Sequence, residues 1–154
     1  MAHTFRDRRR IEFYETDMAG IVHFSNFFRF MESTEHAFFR SLGLSLHRGG
    51  LAGEGSQGGM SGWARVGAEC EFRRPLFYMD EVEVELMVRA KKRSSLAYDF
   101  VFRRVADRDG PLTPHEIAIG RLSVVHVTAE NGGRMKASGI PPDVARAIEV
   151  APRS

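Results

Sequence analysis

A helix that is apolar over most of its circumference is the feature that most constrains how this chain folds. Its apolar positions follow helical spacing: Phe27, Phe30, Met31, Thr34 and Phe38. Phe28 and Phe39 add apolar surface on neighbouring faces. Glu32 and Glu35 leave part of the surface polar. A helix with so wide an apolar arc has to be wrapped by other structure, because one packed face cannot bury it.

Capping signals mark the ends of this helix. Ser25 or Asn26 is the expected N-cap, because either side chain can accept a hydrogen bond from the first turn. Gly43 is the residue expected just after the helix, because glycine adopts the left-handed conformation there at little cost. The sequence Pro-Pro-Asp at 141–143 indicates a second, short helix near the C-terminus.

Segments with a hydrophobic period of two occupy most of the remaining chain. The alternating apolar positions are Val66, Ala68, Cys70 and Phe72, then Val82, Val84, Leu86 and Val88, then Tyr98, Phe100 and Phe102. A first strand is expected over 8–14 and a last one over 117–127. Strands that follow one another without interleaved helices form antiparallel sheets. The predicted class is therefore α+β, with a five-stranded antiparallel sheet wrapped around one long central helix in a single domain, 1–154.

Turn-forming residues mark the connections between these elements. Glycine recurs every few residues over 49–62, which indicates a loop within the domain. Asn-Gly-Gly at 131–133 indicates a turn. The basic segment 91–95 and Asp-Arg-Asp-Gly-Pro at 107–111 are predicted to join neighbouring strands.

Composition excludes several classes of protein. The net charge is only +2, and the run 8–10 lacks the interleaved aromatic residues that stack on bases, so no nucleic-acid partner is expected. Cys70 is the only cysteine, which excludes an intrachain disulfide. No apolar run approaches the ~20 residues that span a bilayer, and no signal peptide is evident. We therefore expect no membrane association and a cytoplasmic location.

Common catalytic and cofactor motifs are missing or misplaced. Gly53, Gly55 and Gly58 match G-x-G-x-x-G, but no strand precedes them and no helix follows, so a dinucleotide site is rejected. The chain contains neither G-x-S-x-G nor H-E-x-x-H, and its six histidines are scattered, so we expect no nucleophile elbow and no metal site. Cys70 holds an apolar strand position and is interpreted as a small core residue.

The segment 14–26 places an acid in a turn just before the buried helix. Free N–H groups and the helix dipole at such an N-terminus stabilise a developing oxyanion. A carboxylate there can attack an acyl carbonyl or take a proton from an attacking water. A thioester is a suitable substrate, because its carbonyl is activated and thiolate leaves readily. From spacing alone, the favoured interpretation of Asp17 is still that it caps the turn ending at Gly20.

The string D-M-A-G-I-V-H-F-S-N-F-F-R-F-M-E at 17–32 resembles the hallmark segment of hot-dog-fold thioesterases of the 4-hydroxybenzoyl-CoA thioesterase type. The matching residues are Asp17, Gly20, Ile21, Val22, Asn26, Phe27 and Glu32. The resemblance implies the hot-dog fold and hydrolysis of an acyl-CoA thioester, with CoA as part of the substrate and no cofactor. It also implies a homodimer or homotetramer with the active site at the subunit boundary.

The same resemblance assigns the catalytic roles. Asp17 would be the catalytic carboxylate, and the backbone N–H near Phe24 would form the oxyanion site. A bacterial subgroup of the family carries His at the position of Phe24, whereas this chain has His23 one residue earlier. An acid/base role for His23 therefore competes with a packing role.

Further residues are expected to bind the substrate. Tyr14, Gly20 and Asn26 would border the acyl site. The basic turn resembles the family region that meets the nucleotide end of CoA, whose phosphates suit cationic partners; its residues are Lys91, Lys92, Arg93 and Ser94. A solvated strand connection is the alternative for this turn.

Two other hot-dog activities remain open on the sequence. Hydratases and dehydratases of acyl thioesters resemble a pattern H-F-x-x-x-P-x-x-P-G, but His23 and Phe24 are followed by 25–27, Ser-Asn-Phe, without proline. A non-catalytic binder of acyl-CoA or acyl-carrier-protein thioesters is disfavoured only by Asp17.

Overall fold

The computed structural model describes residues 1–46, 59–130 and 134–153. Its elements, in chain order, are β1 (Thr4–Arg10), α1 (Ser25–Ser41), β2 (Gly59–Phe72), β3 (Glu81–Lys91), β4 (Ser95–Asp107), β5 (Gly110–Glu130), β6 (Lys136–Ala137) and α2 (Pro142–Ala147). The predicted turn at 131–133 and positions 49–58 of the predicted glycine-rich loop lie outside the described residues. The last four positions of that loop, 59–62, begin β2.

The strands form one antiparallel sheet in the order β1-β3-β4-β5-β2. The five long strands are those that the period-two segments predict, and the two-residue β6 pairs with the end of β5. The turn between β4 and β5 is as predicted, with Gly110 at a φ of +126°. The expected α+β architecture, a five-stranded antiparallel sheet around one long helix, is confirmed.

Helix α1 is buried in the concave face of the sheet, as its wide apolar arc predicts. Its buried residues are Asn26, Phe27, Phe30, Met31, Thr34, Glu35, Phe38 and Phe39. A tight contact lies at Gly120 of β5, where an added Cβ would lie 2.5 Å from the Met31 sulfur. Glycine at this position therefore leaves room for the Met31 side chain to pack on the sheet.

The two ends of α1 differ from each other in how well the sequence predicts them. Gly43 adopts a φ of +73° just after the helix, as expected. The helix begins at Ser25, and the N-cap position is Phe24, which supplies no side-chain cap. The predicted side-chain cap is wrong because Asn26 lies inside the first turn and donates its side-chain N–H instead to the Glu15 carbonyl (2.8 Å).

The first strand ends four residues earlier than the alternation of 8–14 suggests. Residues 13–15 form a short 3-10 helix, and Phe13 is exposed. The Glu12 N–H donates to the Glu15 carboxylate (2.8 Å), and the Glu15 N–H donates back to the Glu12 carbonyl (3.0 Å). This reciprocal capping outcompetes the extended conformation that the hydrophobic pattern favours.

A β-bulge changes which residues of β2 face the helix. The pairing of β2 with β5 shifts between Arg65 and Gly67. Cys70 and Phe72 lie on the helix side, as predicted, but beyond the bulge the alternation is inverted. Val66 is consequently 63% exposed, and Arg65 faces the helix.

The inverted alternation creates a buried ion pair between the sheet and the helix. The Arg65 guanidinium donates to both oxygens of Glu35, at 2.6 and 3.3 Å, and the Glu35 side chain is fully buried. Burial raises the pKa of the Glu35 carboxyl, and the Arg65 charge opposes this rise. The Tyr98 hydroxyl is buried beside the pair without a hydrogen-bond partner of standard geometry among the described residues. Glu35, expected on a polar face, is thus part of the interior.

Candidate active site

Asp17 lies in a tight turn that its own side chain stabilises. The Ala19 N–H donates to Asp17 Oδ1 (2.8 Å), the Gly20 N–H donates to the Asp17 carbonyl (3.0 Å), and the Asp17 N–H donates to the Ile21 carbonyl (2.9 Å). Gly20 has a φ of +82°, which explains the glycine. Asp17 Oδ2 has no hydrogen-bond partner within the described ranges. One carboxylate oxygen is therefore fixed, and the other is available for chemistry.

Backbone pairing joins this turn to the segment between β2 and β3. Ile21 forms an isolated bridge with Phe77, and the Val22 N–H donates to the Leu76 carbonyl (2.9 Å). On the other side, the His23 N–H donates to the Glu15 carbonyl (2.9 Å). The position of the Asp17 turn is thus set by the neighbouring residue Glu15 and by the segment at 76–77, which is distant in sequence.

A cleft of about 500 Å³ lies between the turn, the start of α1 and the end of β2. Its lining residues are Asp17, Ile21, Val22, Phe24, Phe27, Phe72, Arg73, Arg74, Pro75 and Leu76. The Phe27 ring packs edge-on against Phe72 (5.1 Å between centroids) and Phe102 (5.3 Å), so one wall of the cleft belongs to the core. An apolar cleft with one carboxylate at its edge suits an acyl group whose carbonyl lies beside that carboxylate.

The Phe24 N–H, at the start of α1, has no acceptor among the residues that the structure describes. Its neighbours are occupied: Asn26 donates to the His23 carbonyl (2.9 Å), and Phe27 donates to the Phe24 carbonyl (3.2 Å). The Ser25 N–H lies 3.3 Å from His23 Nδ1. A free N–H at a helix N-terminus favours a negatively charged oxygen.

Four of the residues expected near the substrate do not line this cleft. Tyr14 and Gly20 are exposed, and the buried Asn26 holds the Glu15 carbonyl. The His23 ring stacks on Phe24 (4.6 Å), and its Nδ1 pairs with the Ser25 hydroxyl (2.8 Å). Asp17 and Phe24 are the predicted residues that the structure brings together.

The basic turn lies at the opposite end of the sheet from Asp17. The cleft adjoins the Leu76 end of β3, whereas the turn follows Lys91 at the other end, about 30 Å away at 3.3 Å per strand residue. Lys91 Nζ donates to the carbonyls of Ala145 (2.6 Å) and Ile148 (2.7 Å), so this cation caps α2. Lys92 and Arg93 are exposed, and Ser94 is half-buried.

The wall formed by 72–76 was not assigned to the site from the sequence. The contact of this wall with the Asp17 turn depends on the bridge between Ile21 and Phe77 and on the hydrogen bond from the Val22 N–H to the Leu76 carbonyl. Isolated bridges have no periodic signal, so sequence reasoning could not place this wall.

Other chemistry-bearing groups remain outside the cleft. Burial raises the pKa of the Cys70 thiol to about 12, in keeping with a core residue. Among residues 1–46, 59–130 and 134–153, no three His, Cys, Asp or Glu side chains gather as a metal-binding group, and no helix is long and apolar enough to cross a membrane.

The antiparallel sheet around one long helix defines a hot-dog domain, and comparison with known proteins agrees with this fold. The family model described as the thioesterase-like superfamily matches residues 11–148. The chain belongs to this superfamily.

Three known proteins show how close this relationship is. The 4-hydroxybenzoyl-CoA thioesterase of Pseudomonas sp. strain CBS-3 is 28% identical over 144 residues, which are 93% of this chain and 96% of that enzyme. Its structure superposes with a TM-score of 0.76 at 22% identity, covering 95% and 99%. A 1,4-dihydroxy-2-naphthoyl-CoA hydrolase of Prochlorococcus marinus is 25% identical over 117 residues (75% and 76%). The crystal structure of a hypothetical protein from Aquifex aeolicus has 30% identity and a TM-score of 0.72, covering 94% and 99%. The predicted family, fold and enzyme class, a thioester hydrolase, are confirmed at this level.

Proposed function

We propose that this protein hydrolyses an acyl-CoA thioester, with Asp17 as nucleophile or general base and the Phe24 N–H as oxyanion donor. The observation that carries the proposal is that one apolar cleft is lined by Asp17, which has a free carboxylate oxygen, and by Phe24, whose N–H has no acceptor among the described residues. The named relatives act on aromatic acyl-CoA esters, and the phenylalanine-rich lining suits aromatic and medium-chain acyl groups equally.

The turn holds the Asp17 carboxylate ready for reaction. The Ala19 N–H fixes Oδ1 at 2.8 Å, so the carboxylate loses little rotational freedom when substrate binds. Oδ2 can attack the thioester carbon or accept a proton from a water that attacks it. In the first route the CoA thiolate leaves as an anhydride forms on Asp17, and water then hydrolyses the anhydride to the free acid and the Asp17 carboxylate. In the second route water adds to the carbonyl and the CoA thiolate leaves, which gives the free acid directly.

The start of α1 would stabilise the charge that forms on the carbonyl oxygen. The Phe24 N–H has no acceptor within the described chain, and the positive end of the helix dipole lies beside it. Such a donor is useful when it meets the oxyanion rather than the ground-state carbonyl.

The geometry favours hydrolysis over hydration. A hydratase of this fold would need a histidine at the substrate, but His23 is exposed, pairs with Ser25 and does not line the cleft. A non-catalytic acyl-CoA binder is the other alternative. A thiol-release assay across aromatic and aliphatic acyl-CoAs separates the two, because a binder releases no CoA from any of them.

We further propose that the active enzyme is a homo-oligomer whose site includes a second copy of the chain. In one chain the basic turn and the Asp17 cleft lie at opposite ends of β3, so another copy has to supply any basic turn that reaches the cleft. Large exposed apolar side chains surround the Asp17 turn: Phe13, Tyr14, Met18, Phe24, Phe77, Tyr78 and Met79. The 14-residue β2 is also an edge strand, with no further strand beside it among the described residues.

Sedimentation velocity should show an obligate dimer or larger assembly at micromolar concentration. Covering the apolar surface around Asp17 and the edge of β2 supplies the driving force. A stable monomer that retains full thioesterase activity would contradict the shared site.

Replacing Lys92 and Arg93 with alanine should raise KM for acyl-CoA about tenfold at low salt and leave kcat nearly unchanged. Contacts to phosphates far from the carbonyl bind ground and transition states alike. Lys91 is kept, because its contacts with α2 are structural. The effect should shrink in 0.5 M salt, where such attractions are screened.

The matched control removes two other exposed cations, Arg40 and Arg108, and so makes the same change in net charge. Its KM should stay within about twofold of the parent value. Equal KM values for the two double variants would show that the basic turn is only a solvated strand connection.

A further inference from the structure

Two adjacent arginines line the Asp17 cleft, but they differ in their partners. Arg73 is paired with Glu116 and, at 3.4 Å, with Glu71. Arg74 is exposed, and its guanidinium forms no ion pair or hydrogen bond with any residue in 1–46, 59–130 or 134–153. The cleft therefore has one neutralised cation and one available cation.

The backbone fixes Arg74 at this wall. Its N–H donates to the Ile117 carbonyl (3.0 Å), and Pro75 follows it with a restricted φ. No ion pair within 4.0 Å joins Arg74 to Asp17, although both residues line the same cleft. The backbone thus places Arg74 at the wall of the cleft, and no ion pair with Asp17 neutralises its charge.

We propose that Arg74 is a substrate-binding residue, and that its guanidinium binds a hydrogen-bond acceptor located a few bonds from the thioester. This inference rests on the proposed hydrolysis in the Asp17 cleft. The remaining walls are largely apolar, so a substrate with an acceptor group has few other charged partners there. A guanidinium forms strong, directional hydrogen bonds with carboxylate and carbonyl oxygens. The acceptor can belong to the acyl group or to the pantetheine arm.

The Arg74→Gln variant tests the role with two acyl-CoAs of equal chain length, pentanoyl-CoA and glutaryl-CoA, which differ in a terminal carboxylate. A loss of about tenfold in kcat/KM for glutaryl-CoA alone assigns the acceptor to the acyl group. A similar loss for both substrates assigns it to the pantetheine arm. Either result supports the proposal.

Arg73→Gln is the matched comparison, because it removes the same charge one residue away from a guanidinium that already has two carboxylate partners. An equal loss in both variants would show that the effect is not specific to Arg74, and no loss in either would show that Arg74 is a solvated side chain. Each of these results overturns the proposal.

A binding measurement keeps this test separate from the proposed hydrolysis. The thioethers S-pentyl-CoA and S-(4-carboxybutyl)-CoA cannot be hydrolysed, and calorimetry gives their Kd with the parent and with both variants. A Kd that rises about tenfold in Arg74→Gln, but not in Arg73→Gln, supports the assignment even if no acyl-CoA is turned over. Unchanged Kd values for both ligands overturn it.

Discussion

Asp17→Asn should lower kcat for the best acyl-CoA by ~10²-fold or more, the scale of losing a general base or nucleophile. An amide cannot attack the thioester carbon, and it is not an effective base toward water. The fold should be preserved, because an asparagine oxygen can accept the same Ala19 N–H bond. Stopped-flow or steady-state thiol release, together with the melting temperature and the oligomeric state, measures both parts of the expectation.

The chain contains a matched control for this substitution. Asp107 accepts the Asp109 N–H at 2.8 Å in the turn between β4 and β5, which is the geometry of Asp17 and Ala19. Asp107→Asn removes the same charge from the same kind of turn outside the cleft and should leave kcat near the parent value. A folded Asp17→Asn protein with near-parent turnover would contradict the catalytic role of Asp17, which is the residue that disfavours the non-catalytic binder.

Arg65→Met should destabilise the protein by about 3 kcal/mol at pH 7. Removing one partner of a buried ion pair leaves the other charge without compensation, which costs about 3–5 kcal/mol. The lower end of this range is expected here, because Arg65 is itself partly solvated. The remaining carboxyl, Glu35, is fully buried. Urea unfolding monitored by fluorescence or circular dichroism measures the difference.

The pH dependence of this loss has a definite sign. Burial raises the pKa of Glu35 in the folded state, and Arg65 holds it down, so the variant should show a larger rise. A group with a raised folded pKa stabilises the fold below its ordinary pKa, and that contribution is lost as the pH climbs through the folded pKa. The destabilisation of Arg65→Met relative to the parent should therefore be smaller at pH 5 than at pH 7.

Glu32 supplies the internal comparison. It lies 3.5 Å from the same Arg65 guanidinium, but its side chain is 61% exposed. Glu32→Gln should change the unfolding free energy by less than about 1 kcal/mol, as exposed ion pairs do. Equal costs for Glu32→Gln and Arg65→Met would show that burial of Glu35 is not the source of the loss.

Local patterns in the sequence were sufficient to predict the architecture of the fold. The wide apolar arc of α1 required a wrapping partner, and the alternation around Val84 and Phe100 supplied the strands of that partner. The turn at Gly20 and the helix end at Gly43 were predictable because few residues other than glycine adopt a positive φ. These features depend on residues close in sequence, where spacing carries the information.

The features that the sequence did not reveal depend on single residues or distant contacts. One extra residue in β2 exchanges the environments of Arg65 and Val66, and no alternation rule indicates where a bulge will fall. Glu35 then becomes interior because its partner arrives from another element. The Arg74 wall of the cleft likewise reaches the Asp17 turn through isolated backbone bridges.

The cleft-lining residues differ in how much folding free energy a substitution would cost, and Phe27 is the most constrained of its three phenylalanines. Phe27 is buried against Phe30 and Phe102, so any substitution that reshapes this wall also removes core packing. In one chain Phe24 is 60% exposed and Phe72 is 46% exposed, so both can be exchanged with less loss of folding free energy. New acyl preferences should therefore arise first by substitution of Phe24 and Phe72, whereas substitution of Phe27 should be constrained by the loss of folding free energy.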